Sequence, residues 1–135
     1  MSTMMLEIVT PERKIYGQEV NMVIAKGIDG ELGILPNHIP MVTPLRIAKV
    51  TAKVEGQKDQ VFAVHGGFME VRKDKVVILA ESAEIPEEID LDRAAGARGR
   101  AEERLKAAKQ EKIDYHRAER ALARAMLRMD IKNQD

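Results

Sequence analysis

Hydrophobic residues in the first part of the chain recur in short runs, mostly with a period of two, and each run ends at turn residues. The predicted strands lie at residues 5–9, 20–25, 47–54, 61–64, 68–71 and 76–80. Because successive side chains of a strand point to opposite faces of a sheet, this pattern predicts short, half-buried strands. Many short strands separated by frequent turns are typical of a β-sandwich or a β-barrel.

After residues 85–94 the spacing of apolar residues changes to three and four, which is the spacing of one face of a helix. In the first predicted helix the residues at this spacing are Leu91, Ala94, Arg98, Ala101, Leu105 and Ala108. In the second they are Tyr115, Ala118, Leu122, Ala125 and Met129. With the polar residues 109–113 as a turn, the pattern predicts an antiparallel helical hairpin. The chain is therefore predicted to be α+β, with β-structure at residues 1–84 and helices at 85–135.

The predicted hairpin has good caps but little apolar surface. Asp90 and Asp114 stand where N-caps are needed, because a carboxylate there accepts a hydrogen bond from the first turn of a helix. The apolar stripes are narrow and rich in alanine, so the helices bury little area. Gly96 and Gly99 each lower helix stability by about 1 kcal/mol relative to alanine. We expect a marginally stable hairpin, which suits an element that has to come apart.

Composition excludes several classes of function. The chain has 135 residues, a formal net charge of zero and 3% aromatic residues, which argues against binding to nucleic acid. It contains no cysteine, which removes disulfides, thiolate catalysis and the common zinc frameworks. No apolar run approaches the roughly 20 residues of a membrane span, and the N-terminus has no signal-peptide pattern. We therefore expect a soluble protein that reaches a membrane only through a partner.

The predicted helices carry two series of arginines. They are Arg93, Arg100 and Arg104 in the first helix and Arg117, Arg120, Arg124 and Arg128 in the second. Facing one cleft, the two series would repel each other unless an anion lay between them, since guanidinium groups suit phosphate oxygens. The alternative is a pair of solvated faces with ordinary pairs such as Glu102 with Lys106. Spacing alone favours the solvated faces, because runs of charge are usually solvated.

Two motifs carry a resemblance to a known family. They are GELGILPNHIP at residues 30–40 and GGFMEV at residues 66–71. With them the whole chain resembles the epsilon subunit of bacterial F-type ATP synthase in strand order, helical hairpin and length. Two positions depart from the family pattern, because Asn37 stands where glycine is common and His65 where a small residue is common.

The resemblance implies a fold, partners and a location. The fold is an N-terminal ten-stranded β-sandwich that binds the gamma subunit and the c ring, followed by the helical hairpin. Glu31 and His38 lie in the loop expected to contact the c ring. The helices are expected to inhibit ATP hydrolysis when they extend along gamma toward the alpha and beta subunits. This noncatalytic rotor subunit would lie at the cytoplasmic face of the bacterial cell membrane as a peripheral part of the complex.

The segment Ile89-Asp90-Leu91-Asp92-Arg93-Ala94 also matches Ile/Leu-Asp-x-x-Arg-Ala, a nucleotide motif of some bacterial members. The resemblance implies ATP as a regulatory ligand, with no obligatory cofactor and no assigned metal, bound between sandwich and folded hairpin. The residues matching the adenosine side are Glu84, Ile89, Asp90, Arg93 and Ala94. Those matching the phosphate side are Arg100, Arg117, Arg124 and Arg128. Lys132 is expected to lie beyond this site, and helix capping is the simpler role for Asp90 and Arg93.

Three alternatives stay open at this point. The first is the same subunit with inhibition that does not depend on ATP. The second is a free-standing β-sandwich adaptor whose basic helices bind nucleic acid. The third is an enzyme acting on nucleotides, for which the sequence offers no base, nucleophile or metal cluster. His38, His65 and His116 lack metal-ligand spacing, so loop or core packing is their expected role.

Overall fold

The computed structural model of the chain describes residues 2–111 and 115–133. The chain forms two compact units, Met1–Ile85 and Pro86–Asp135. The strands belong to the first unit and the helices to the second, so the α+β prediction is confirmed.

The strands of the first unit form one connected sheet of eight strands. They are β1 Met4–Val9, β2 Lys14–Val20, β3 Met22–Gly27, β4 Gly30–Ile34, β5 Met41–Lys53, β6 Gln60–Val71, β7 Lys75–Ala80 and β8 Ala83–Glu84. The order is β2-β1-β7-β6-β5-β3-β4, and β8 pairs with β6. Strand β1 runs parallel to β7, whereas the other paired strands are antiparallel.

The two longest strands, β5 and β6, form the centre of this sheet. The second half of β6 pairs with β7, whereas its first half pairs with β8. Strand β5 accompanies β6 along both halves. The alternating apolar residues of the strands meet in one core; in β1 these are Met4, Leu6 and Ile8, each at most 2% exposed. The alternation that predicted half-buried strands therefore builds this core.

The predicted count of ten strands is not confirmed, because residues 2–111 and 115–133 contain eight. The predicted strands at 61–64 and 68–71 are one continuous strand, β6. Gly66 and Gly67 join them with φ angles of 84° and 122°, which only glycine adopts without strain. A Cβ atom at Gly67 would overlap the carbonyl oxygen of Leu79. The two glycines therefore continue the strand through these positive φ angles, with no shift of its register against β5, instead of ending it.

The second unit begins with a 3₁₀ turn at Pro86–Glu88 and contains two helices, α1 Leu91–Glu111 and α2 Tyr115–Asn133. Helix α1 runs further than predicted, since residues 109–111 belong to it and not to the turn. Those residues are Lys, Gln and Glu, which are good helix formers. Ile113 of the predicted turn and Asp114, the predicted cap of α2, lie outside the described residues.

Small side chains dominate the buried positions of the helices. They are Ala94 and Ala101 in α1 and Ala118, Ala125 and Ile131 in α2, each at most 4% exposed. The first residue of each predicted stripe is solvated, since Leu91 is 37% exposed and Tyr115 is 40% exposed. In the described part of the chain, neither helix combines the length and hydropathy that crossing a bilayer requires.

Candidate functional site

The start of α1 is fixed by the residues of the nucleotide motif. Asp90 Oδ1 accepts a hydrogen bond from the backbone N–H of Arg93 at 3.1 Å. The N–H of Ala94 donates to the carbonyl oxygen of Asp90 at 3.0 Å, which is the first bond of the helix. Asp90 is therefore the N-cap of α1, as the sequence predicted.

The motif divides into buried and exposed side chains. Ile89 and Ala94 are 4% and 3% exposed, so their side chains hold the start of the helix in place by packing. The side chains of Asp90 and Arg93 are exposed. The two charged residues of the motif can therefore meet a ligand, whereas its apolar residues shape the surface beneath.

The arginines of both helices follow one rule of placement. Each of four precedes a buried alanine, in the pairs Arg93–Ala94, Arg100–Ala101, Arg117–Ala118 and Arg124–Ala125. The two pairs of each helix are seven residues apart. Seven residues return to nearly the same side of an α-helix, because it has about 3.6 residues per turn. The arginines of each helix therefore lie along one edge of its buried alanine stripe.

These two edges lie on the same side of the hairpin. Lys132 Nζ, at the end of α2, donates to the carbonyl oxygen of Pro86, just before α1, at 3.1 Å. The helices must therefore run antiparallel. Because both are right-handed and point in opposite directions, the residue preceding an inward position lies on the same side in each. We call this side the arginine face; its members are Arg93, Arg100, Arg117 and Arg124, with Arg128 one turn further along α2.

The side chains of the arginine face differ in their exposure. Those of Arg100 and Arg117 are exposed, whereas those of Arg124 and Arg128 are half-buried. Arg100 folds back along its own helix, so that a Cβ atom on Gly96 would lie 3.4 Å from its guanidinium nitrogen. Like charges on one face repel each other. A polyvalent anion offsets this repulsion, because its oxygens accept hydrogen bonds from the forked N–H groups of arginine.

Arg98 lies on the opposite side of α1, two residues from Arg100. Its Nε donates to Glu102 Oε1 at 2.8 Å, and both side chains are exposed. Arg98 belonged to the predicted apolar stripe, and this assignment is wrong because the side chain forms an ordinary surface pair one turn along. It therefore provides a matched control for the arginine face.

Lys132 contacts the segment that leads into the motif. Its bond to Pro86 places the end of α2 beside the 3₁₀ turn that leads into Ile89 and Asp90. A lysine near a helix C-terminus can reach a carbonyl oxygen across the hairpin. The position of Lys132 relative to an ATP site stays a prediction. Lys132 connects the end of α2 to the segment before α1. A Lys132 variant is therefore unsuitable as a control distant from the motif.

We expect the substitution Gly99→Ala to stabilise the helical unit by about 1 kcal/mol, because alanine loses less backbone entropy in a helix. Nothing lies within 4 Å of the Cβ position at Gly99. Thermal melting followed by circular dichroism at 222 nm (a helix-sensitive wavelength) measures the effect. Gly67→Ala is the opposite control, since its Cβ would overlap the Leu79 carbonyl. A lower melting temperature for Gly99→Ala would contradict the prediction.

Glu84 ends β8 and is held by a buried histidine. His65 Nε2 lies 2.9 Å from Glu84 Oε1. The His65 side chain is 1% exposed and the Glu84 side chain 23%. The expected core packing of His65 is therefore confirmed. Its partner was not predicted, because the two residues meet only through the pairing of β6 with β8.

Glu31 and His38, the predicted c-ring contacts, lie in and after β4. Glu31 is exposed, whereas His38 is half-buried and its Nδ1 lies 2.7 Å from the carbonyl oxygen of Ile39. Exposed apolar side chains flank them in the sequence: Ile28, Leu35 and Ile39 at 53%, 56% and 75%. Asn37 has a φ of 68°, so it adopts the left-handed conformation that glycine adopts readily and asparagine tolerates.

A second exposed apolar patch lies on the sheet. Phe68 of β6 pairs with Leu79 of β7 and with Pro44 of β5. Phe68 and Leu79 are both 53% exposed, and Val42, two residues before Pro44 on β5, is 67% exposed. Contiguous exposed apolar side chains of this kind mark a surface for a protein partner. Among the described residues, no group of three His, Asp or Glu side chains is placed to hold a metal ion.

Two family models together cover almost the whole chain. The ATP synthase delta/epsilon chain β-sandwich domain matches residues 3–86. The ATP synthase delta/epsilon chain long α-helix domain matches residues 87–133. The chain belongs to the ATP synthase delta/epsilon family.

Two curated relatives have the same organisation along their length. The ATP synthase epsilon chain of Halalkalibacterium halodurans is 52% identical over 131 residues, covering 97% of this chain and 98% of the relative. The ATP synthase epsilon chain of Brevibacillus brevis is 60% identical over 105 residues, covering 78% of this chain and 80% of the relative.

Solved structures give the same fold. A chain of the Euglena gracilis mitochondrial ATP synthase, solved by cryo-EM with OSCP, F1 and the c-ring, has a TM-score of 0.77 and 25% identity. The match covers 91% of the delta/epsilon-family chain described here and 77% of the Euglena chain. A central-stalk/c-ring structure from the Tetrahymena thermophila mitochondrial synthase matches at a TM-score of 0.52 and 17% identity, covering 68% and 73% of the two chains. The latter supports the fold alone.

Proposed function

We propose that this chain, a noncatalytic epsilon-type subunit of the central stalk of an F-type ATP synthase, inhibits ATP hydrolysis through its two helices and senses ATP with them. ATP favours the compact hairpin, and loss of ATP frees the helices to extend toward the alpha and beta subunits. The arginine face carries this proposal, because five guanidinium groups on one side of a hairpin favour a bound triphosphate.

Residues 85–94, which we call the seam, would bind the adenosine end of the ligand. The exposed carboxylate of Asp90 and the exposed Arg93 stand at the start of α1, on a helix cap that does not have to rearrange. Glu84 would complete the adenosine side. Arg100, Arg117, Arg124 and Arg128 would neutralise the phosphates, so the ligand links α1 to α2 and stabilises the packed state over the extended one.

The sandwich unit would bind the rotor. Its patch of Phe68, Leu79 and Val42 has the apolar character that a stable interface with gamma requires. The loop with Glu31 and His38 would contact the c ring. Through these partners the subunit would lie peripherally at the cytoplasmic face of the bacterial membrane.

Titration of the isolated chain with ATP tests the proposal, with calorimetry as the measurement. We expect Arg100→Ala to weaken ATP binding by about ten-fold, because a hydrogen bond to a charged group contributes about 1.5–3 kcal/mol. Arg98→Ala removes the same charge from the opposite side of α1 and should leave the affinity within about two-fold. Equal losses in both variants would reduce the effect to net charge and contradict an arginine-face site.

The same titration separates the rival mechanism. If the wild-type chain does not bind ATP at millimolar concentration, inhibition by the helices is independent of ATP. A free-standing adaptor that binds nucleic acid is the second rival, and recovery of gamma from a pull-down would exclude it.

A further inference from the structure

The contact between buried His65 and half-buried Glu84 joins the sandwich core to β8, the strand that leads into the seam. Backbone pairing aligns Ala63 with Glu84 and Val64 with Ala83. The His65 N–H also donates to the carbonyl oxygen of Ser82 at 2.9 Å. Strand β8 is only two residues long, so these few bonds and the side-chain contact hold it in place.

The hydrogen bonding of the imidazole defines its role. His65 Nε2 is 2.9 Å from a carboxylate oxygen, which can only accept, so Nε2 carries the proton and donates. The other nitrogen, Nδ1, is buried and has no hydrogen-bond partner among the described residues. If Nδ1 carries no proton, no unsatisfied N–H group is buried at this position. The environment therefore favours the tautomer that is protonated at Nε2.

The consequence is a fixed carboxylate at the surface. The Glu84 side chain is 23% exposed, and it is held from below by a histidine with 1% exposure. This donor restricts the rotamers that the Glu84 side chain can sample, so a ligand has less to order. The packed imidazole reduces that ordering cost before any ligand arrives.

We infer that His65 is a positioning residue for nucleotide binding: its Nε2–H fixes the Glu84 carboxylate in the orientation that the adenosine side of the site uses. This inference rests on the proposed ATP site, because it concerns the affinity of that site for ATP. His65 itself is buried and acts only through Glu84.

Two substitutions of His65 separate positioning from packing. His65→Leu fills the space but removes the donor, whereas His65→Gln can place an amide N–H near the position of Nε2. We expect His65→Leu to weaken ATP binding by about five-fold or more, and His65→Gln to stay within about two-fold of the wild type, since one donated hydrogen bond to a carboxylate is at stake.

Phe62→Leu on the same strand is the control for general damage to the core. Phe62 is 2% exposed. Its ring packs at a tilt against that of Tyr16, with 4.9 Å between the ring centroids, and takes no part in the contact between His65 and Glu84. This variant should lower the melting temperature and leave ATP affinity unchanged. A loss of affinity in Phe62→Leu equal to that in His65→Leu would attribute the effect to stability and overturn the inference.

A nitrogen-15 NMR spectrum provides a readout that does not depend on ATP. In the wild type the His65 ring nitrogens should report the Nε2-protonated tautomer, and Glu84→Gln should shift the Nε2 signal. The Nδ1-protonated tautomer, or unchanged ATP affinity in His65→Leu, would overturn the inference alone. Absence of ATP binding by the wild type would remove the proposed ATP site and this inference together.

Discussion

A chain that ends at Ile85 is expected to fold, to bind gamma and to lose ATP binding completely. The sandwich has its own core, and Ile85 packs against it, so the cut should fall after this residue. The arginine face and the Asp90 cap are removed in one step. In the assembled synthase the same truncation should raise ATP hydrolysis, because it removes the helices that we propose to be inhibitory.

Three measurements check the truncation. Circular dichroism and thermal melting report the fold, a pull-down reports gamma binding, and steady-state hydrolysis reports inhibition. A full-length chain carrying Arg98→Ala serves as the control, since it keeps both helices and the arginine face. A truncated chain that is unfolded, or that no longer binds gamma, would contradict the division of labour between the two units.

The double substitution Asp90→Ala, Arg93→Ala is expected to weaken ATP binding by about ten-fold or more, because it removes two charged groups from the seam. Calorimetric titration of the isolated chain measures the change. The control is Glu102→Ala with Arg98→Ala, which deletes one negative and one positive charge from α1 outside the motif. If the control loses as much affinity, the seam has no specific role.

Asp90 needs a further variant because it caps α1 as well. Loss of an N-cap costs about 1 kcal/mol of helix stability, which could lower affinity indirectly. Asp90→Asn keeps an oxygen that accepts from the Arg93 N–H and removes only the negative charge. A similar loss of ATP affinity in Asp90→Asn and Asp90→Ala would assign the effect to the carboxylate, whereas a loss in Asp90→Ala alone would assign it to the cap.

Local pattern accounts for the elements that the sequence predicted well. Alternation in β1, β3 and β7 reflects strands with one face on the core, and a single carboxylate at Asp90 marks the start of α1. Strand β2 was missed because its sequence KIYGQEV is largely exposed and polar. The first part of β5 was missed because Pro44 and Thr43 interrupt its apolar pattern, although proline is tolerated where it gives up no ladder bond.

The contacts between residues far apart in the chain could not be predicted from the sequence. The His65–Glu84 bond depends on the register of β6 against β8, and a two-residue strand has no periodicity to detect. The bond from Lys132 to Pro86 depends on the packing of α1 against α2. The arginine series were visible, but their common side became clear only from the antiparallel arrangement and the buried alanines.

The parallel pairing of β1 with β7 also dictates an order of folding during synthesis. Met5 lies opposite Lys75 and Val9 opposite Leu79, so β1 has no partner on that edge until the ribosome has passed Leu79. Such long-range closure is slow, and strands without their partners are prone to aggregate in the meantime. The two helices, whose contacts are mostly with each other, emerge afterwards and can form without waiting for the sheet. The first strand of this chain therefore stays unpaired on that edge until most of the sandwich has been made, whereas α2 meets its partner α1 as soon as it emerges.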